Sequence, residues 1–407
     1  MAGPLKNIKV LELSRVLAGP WAGQILADLG AEVIKVERPG LGDETRAWGP
    51  PYLKDDDGAE TKESAYFLAT NRGKKSVTVD FTKPEGQEII RKLIKHSDVL
   101  IENFKVGGLK KYHLDYKSAQ KINPAIIYCS ITGFGQTGPY AHRAGYDFMI
   151  QGLGGLMSIT GESDHLPGGG PQKVGVALVD VLTGLYSTIA IQGALFSRTI
   201  TGMGQYIDMS LLDVQTASLA NQASNYLIGG ILPQRLGNAH PNIVPYQVFT
   251  TSNGHIILAV GNDNQFKKFC DVAGHPELSA DERFILNRGR VQYRDQLIDF
   301  IKPIIKGKTS EVWLTQLEKA GVPCGPINDI SQVFDDPQVQ SRQTKISLDH
   351  ALASGIPLVA NPIRYSETEI EYQTPPPLLG QHSNEILTEM LEYSQKEIEI
   401  LKMNKVI

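Results

Sequence analysis

The first 135 residues alternate between two hydrophobic periods, and this restricts the fold more than any other feature of the 407-residue chain. IKVLELS (8–14), AEVIKVE (31–37), SVTVDF (76–81), DVLIENF (98–104) and AIIYCSITG (125–133) are short apolar runs of the kind that form buried strands. Between them, WAGQILADLG (21–30) has helical spacing and closes on glycine, and PEGQEIIRKLIKHS (84–97) has helical spacing behind a first-turn proline. Strands joined through helices run parallel, because each helix returns the chain to the same end of the sheet. The expected fold is α/β: a Rossmann-like large domain with a parallel sheet covered on both faces. SRVLAGPWAGQ follows the first strand, so the G-x-G-x-x-G fingerprint is absent and the topology alone does not imply NAD.

The pattern changes near residue 230. QVFTTSNGHIILAVGNDNQFKKFCDVAG (247–274) reads as two strands around a Ser-Asn-Gly turn, then a helix, and further helices are expected at 291–306 and 309–320. YQTPPPLLGQH (372–382) reads as an extended arm, and the segment from His382 to Lys402 as one amphipathic closing helix. The expected domains are therefore a large one over 1–224, a small α+β one over 225–330, and a returning arm and helix over 331–407.

Charged residues make up 21% of the chain and the net charge is −4, with lysine and arginine spread evenly. This excludes the basic clusters of nucleic-acid and membrane-surface binders. Cys129, Cys270 and Cys324 form no C-x-x-C pair, so neither a disulfide frame nor a metal site is expected. MAGPLKNIKVLELS lacks the basic-then-apolar pattern of a signal peptide, and the expectation is a soluble cytoplasmic protein.

The most apolar stretch, KVGVALVDVLTGLYSTIAIQGALF (173–196), holds a lone carboxylate, Asp180. Burial there strips hydration from the charged form and raises the pKa. Three readings are open: an N-cap of the following helix, a structural acid paired with a distant cation, or a catalytic base or nucleophile. The glycine-rich run over 140–175 leads directly to it and is expected near a ligand. No G-x-S-x-G elbow, Walker loop or H-E-x-x-H competes, and the nine histidines are scattered.

Segments along the whole chain resemble class III CoA-transferases, the superfamily of formyl-CoA transferase, carnitine-CoA transferase and α-methylacyl-CoA racemase. They include PLKNIKVLELSRVLAGPWAGQILADLGAEVIKVERPGLGDETR (4–46), NRGKKSVTVDF (71–81), SITGFGQTGPYAHRAGYD (130–147), VGVALVDVLTGLY (174–186), GVPCGPIND (321–329) and PPPLLGQHSNEIL (375–387). The resemblance implies the family III fold with an interlocked homodimer. It implies coenzyme A and acyl-CoA as substrates rather than as a permanently bound cofactor, with a carboxylic acid as acceptor. It makes Asp180 the nucleophile, carrying first an acyl anhydride and then a CoA thioester. It places Val16, Ala18, Arg38, Lys74, Asn103 and Lys111 along the CoA site. The family pattern N-F-R-P-G is 103-NFKVG-107 here, and the family's lid of consecutive glycines is missing, with GNDNQF (261–266) in its place.

Within the family, SRVLAGP, ETRAWGPPY, GNAHPNIVPYQ and PPPLLGQH look closest to succinyl-CoA:dicarboxylate transferases. A second substrate carboxylate calls for a cation, and Arg15, Arg46, Arg72 and Arg143 are the candidates. Racemases of the superfamily use a histidine in a Gly-His-Asp step. This chain has Tyr146 there, and tyrosine is a poor base at neutral pH. A CoA-binding protein without catalysis is the remaining alternative.

Overall fold

The structure is a computed structural model and describes residues 3–407. The chain divides into two compact units. The larger comprises Met1–Leu156, Val174–Ser224 and Gln338–Ile407; the smaller comprises Met157–Lys173 and Asn225–Pro337. Residues 157–173 thus group with the smaller unit, which also runs on to Pro337, beyond the boundaries expected from composition.

The larger unit begins with β1 (Lys9–Glu12), α1 (Ala18–Asp28), β2 (Glu32–Glu37), β3 (Lys74–Thr78), α2 (Pro84–Lys95), β4 (Val99–Glu102), α3 (Tyr116–Ile122) and β5 (Ile127–Thr132). It continues with α4 (Asp147–Leu153), α5 (Leu178–Thr201), β6 (Tyr206–Ser210) and α6 (Leu211–Ala217). The six strands pair in parallel in the order β3-β2-β1-β4-β5-β6, the doubly wound arrangement. Every strand expected from the sequence is present, with β3 starting two residues early at Lys74; β6 was not expected.

Side-chain alternation explains the two-faced core. Val10, Val99, Ile101, Ile127 and Cys129 pack on one face with Ala22 and Leu26 of α1 and Ile191 and Leu195 of α5. Leu11, Leu100 and Tyr128 pack on the other with Ile89, Ile90, Leu93 and Ile94 of α2. Strands buried on both faces need near-continuous apolar runs, and these strands have them. Helix α2 starts with Pro84 at its first position and ends with Lys92 and Lys95 in its last turn, as the helix dipole favours.

Helix α5 is long and apolar enough by composition to cross a membrane. Yet Val179, Thr183, Ser187, Ile191, Ala194 and Leu195 form a buried stripe along it. Its opposite side exposes Ile189, Phe196 and Ile200, at 65%, 71% and 75%.

The arm over 372–382 has no regular secondary structure. The Thr374 carbonyl accepts from Gly73 N–H, and the Pro377 carbonyl from Arg46. The single closing helix is not found. The chain is wound at Ser383–Glu385 and Ile386–Met390, breaks where Glu392 adopts φ 57°, and restarts as α-helix over Gln395–Met403. Ser394 and Glu397 form a capping box that fixes the restart.

In the smaller unit, β7 (Tyr246–Thr250), β8 (His255–Ala259) and β9 (Cys324–Gly325) pair antiparallel in the order β9-β8-β7. Phe249, Ile256, Leu258, Phe266 and Trp313 fill its core. Helices Asp263–Ala273, Arg294–Lys306 and Ser310–Ala320 lie where the periodicity predicts them. Asn262 of GNDNQF accepts the Gln265 N–H and caps the first of these helices.

Candidate active site

The strand order reverses between β1 and β4, the point at which doubly wound sheets form a crevice beyond the C-terminal ends of the strands. A cleft of about 170 Å³ occupies this place, wholly within the larger unit. Arg15 and Val16 enter from the loop after β1, Ala18 from the start of α1, Asn103 to Val106 from the loop after β4, and Asp180 from the start of α5. Asn103 ties the two loops together. Its Oδ1 accepts the Arg15 N–H at 3.0 Å, and its Nδ2 donates to the Arg15 carbonyl at 2.7 Å. Val16 stands at φ 73°, an outlier for a β-branched residue, and its N–H donates to Asp43 at 3.2 Å. Asp43 is itself held by the Lys35 ammonium at 2.9 Å.

Asp180 is the third residue of α5, not its N-cap, which is Ala177. Nor is it a paired structural acid: among the described residues no cation bonds its carboxylate. Burial, and secondarily the neighbouring Asp147, push its pKa from 3.8 up to about 7. The cap role falls to Asp147, the first residue of α4 and itself buried. Its Oδ1 accepts the N–H groups of Val179 at 2.7 Å and Asp180 at 3.3 Å. Gln151 donates to Asp147 Oδ2 at 2.7 Å and accepts the Val174 N–H at 2.9 Å. These bonds saturate the donors that start α5, so they are not free for a substrate oxyanion. The result is a partly buried, uncompensated carboxylate on a rigid helix end, the arrangement that suits a nucleophile.

The loop from Gly133 to Tyr146 supplies a further part of the cleft wall. Gly133 and Gly145 approach so closely that a Cβ on Gly145 would lie 2.4 Å from the Gly133 Cα. Only glycine at both positions lets the loop fold back on the end of β5. Its Ala141, Arg143, Ala144 and Tyr146 line the cleft. The glycine-rich run is therefore partly at the site, through its first residues.

The residues expected to bind CoA separate. Val16, Ala18 and Asn103 line the cleft. Arg38 lines an adjoining hollow of about 660 Å³, which shares Arg15 and Phe104 with the cleft. Lys111 is exposed over the Tyr112 ring and reaches neither. Lys74 is not available as a phosphate contact, because it is fully buried. Its ammonium is bonded by Glu12 at 2.9 Å, Asn71 at 2.9 Å and the Pro20 carbonyl at 2.8 Å. Burial lowers its pKa to about 8, against the pull of Glu12.

The four arginines separate as well. Arg46 is buried between Glu37 and Glu63 and stacked on Phe67, with its centre 3.6 Å from the ring centroid. Arg72 is buried on Asp28 at 2.7 Å and donates to the Val359 carbonyl. Both are structural, since a buried charge is retained only with partners. Arg15 and Arg143 line the cleft, Arg15 paired with Glu44. Tyr146 lines it too, 66% exposed.

Sequence reasoning missed Asp147 and Lys105. Asp147 was visible only as the last residue of the Gly-Tyr-Asp step. Lys105 stands at the arginine of the family's N-F-R-P-G pattern and lines the cleft.

The model of CoA-transferase family III matches residues 5–383. A succinate–glutarate CoA-transferase of Agrobacterium fabrum is 52% identical over 95% of this chain and 96% of its own length. The human succinyl-CoA:glutarate CoA-transferase is 44% identical over 97% of this chain and 88% of its own. The crystal structure of a CAIB/BAIF family protein from Brucella suis superposes with a TM-score of 0.83 at 52% identity, covering 96% of this chain and all of that one.

Proposed function

The chain belongs to CoA-transferase family III and is a CoA-transferase, and we propose that it moves CoA from succinyl-CoA to glutarate through covalent intermediates on Asp180. The substrate pair is that of its similar relatives. The observation that carries the mechanism is the lone, partner-free carboxylate of Asp180 in the switch-point cleft, with its pKa raised to about 7.

A carboxylate oxygen of Asp180 attacks the thioester carbonyl. The C–S bond breaks, CoA leaves as thiolate, and a mixed anhydride remains. The thiolate then attacks the aspartyl carbonyl, releasing succinate and leaving an aspartyl-CoA thioester. Glutarate attacks that carbonyl and expels the thiolate, which takes the glutaryl group from the second anhydride and frees Asp180. No net proton is gained or lost. Burial strengthens the carboxylate as nucleophile and shields the anhydride from water.

No histidine lines the cleft among the described residues, and the Gly-His-Asp histidine of a racemase is Tyr146 here. The exposed apolar side of α5, with Ile189, Phe196 and Ile200, supports a homodimer, in which a second copy covers it.

Incubation with succinyl-CoA followed by hydroxylamine tests the reading. A hydroxamate on the peptide holding Asp180, absent in Asp180→Asn, is expected. No label, together with loss of stereochemistry from a chiral 2-methylacyl-CoA, would favour the racemase instead.

A further inference from the structure

We infer that Arg143 is the residue that reads the free, distal carboxylate of the dicarboxylate substrate; this rests on the transferase reading above. The four arginines of the sequence are unequal once folded. Arg46 and Arg72 are buried and fully engaged by Glu37, Glu63 and Asp28. Arg15 is neutralised by Glu44. The guanidinium of Arg143 alone among the four has no acidic partner among the described residues.

It is nevertheless placed rather than loose. Its centre lies 4.7 Å from the Tyr140 ring centroid and 5.2 Å from that of Phe134. Those rings meet edge-on at 5.5 Å. The backbone on its C-terminal side is pinned by the Gly133–Gly145 approach. Stacking fixes the plane of a guanidinium while leaving its N–H edge free, the state in which it binds carboxylate bidentately. The same loop leads directly into Asp147, which holds the backbone of Asp180. The reader of one carboxylate and the nucleophile for the other end of the substrate are thus set by one short segment. Lys105 also lines the cleft, from the loop after β4.

The test compares the intact enzyme with Arg143→Gln and Arg143→Lys, both at an exposed position. The rate of hydroxylamine trapping from succinyl-CoA and the affinity for free CoA by calorimetry are measured. Loss of a charged hydrogen-bond pair predicts trapping slower by about 10- to 100-fold in Arg143→Gln, with partial recovery in Arg143→Lys. The affinity for free CoA is expected to stay unchanged. Unaltered trapping, or a parallel fall in CoA affinity that makes Arg143 a phosphate ligand, overturns the assignment while leaving the transferase reading intact. Failure of the unaltered enzyme to trap any acyl group overturns both.

Discussion

The Asp147 carboxylate accepts the backbone N–H of Asp180 at 3.3 Å, so one acid caps the helix that carries the other. This division of labour leaves the Asp180 side chain without a partner while its backbone is fixed.

The arrangement costs stability. The folded pKa of Asp180, about 7, lies above its ordinary 3.8, so folding favours the protonated form. The contribution is complete below pH 3.8 and lost as pH rises through about 7. Asp180→Asn, which mimics the neutral acid, should match the parent near pH 4 and exceed it increasingly up to pH 8. The linkage limit is about 4 kcal/mol, less in an open cleft. Denaturant unfolding at several pH values checks this; a difference independent of pH contradicts the raised pKa.

The same ionisation governs reactivity. In the proposed mechanism only the carboxylate attacks, so trapping from acyl-CoA should rise with pH and level off above about 7. In Asp147→Asn the neighbouring charge is gone, and the rise should move to lower pH. Because burial is the larger cause, the midpoint should stay above the ordinary carboxylate value. A profile that does not move would show that Asp147 acts through its hydrogen bonds alone.

Gly145→Ala places a methyl group 2.4 Å from the Gly133 Cα, and neither backbone can yield without moving the loop. We expect destabilisation by about 1–3 kcal/mol. Succinyl-CoA turnover should fall further than stability explains, because Arg143 and Tyr146 move with the loop. Kinetics on the folded fraction, set by circular dichroism, decide it.

Lys74→Met separates a structural from a ligand-binding lysine. Removing the ammonium leaves Glu12 with Lys35 alone in a fully buried site, and breaking such a pair costs about 3–5 kcal/mol. A lower unfolding midpoint with unchanged CoA affinity in the folded fraction is expected. Weakened CoA binding at unchanged stability would restore Lys74 to the phosphate site.

The sequence by itself determined the strand–helix alternation, because burial on two faces demands apolar runs of fixed period that can be counted along the chain. It also singled out Asp180, since a charge inside an apolar helix has few explanations. Tertiary structure decided which cations are free. Arg46, Arg72 and Arg143 are alike in sequence, and only the fold brings Glu37, Glu63 and Asp28 to two of them and, among the described residues, no acid to the third. Lys74 was lost as a ligand for the same reason, its partner Glu12 lying 62 residues away on the neighbouring part of the sheet. Asp147 came to Asp180 from 33 residues away, at the end of a loop closed by two glycines. Pairing of charges depends on distance in space, which falls off within a few ångströms and leaves no periodic trace in the order of residues.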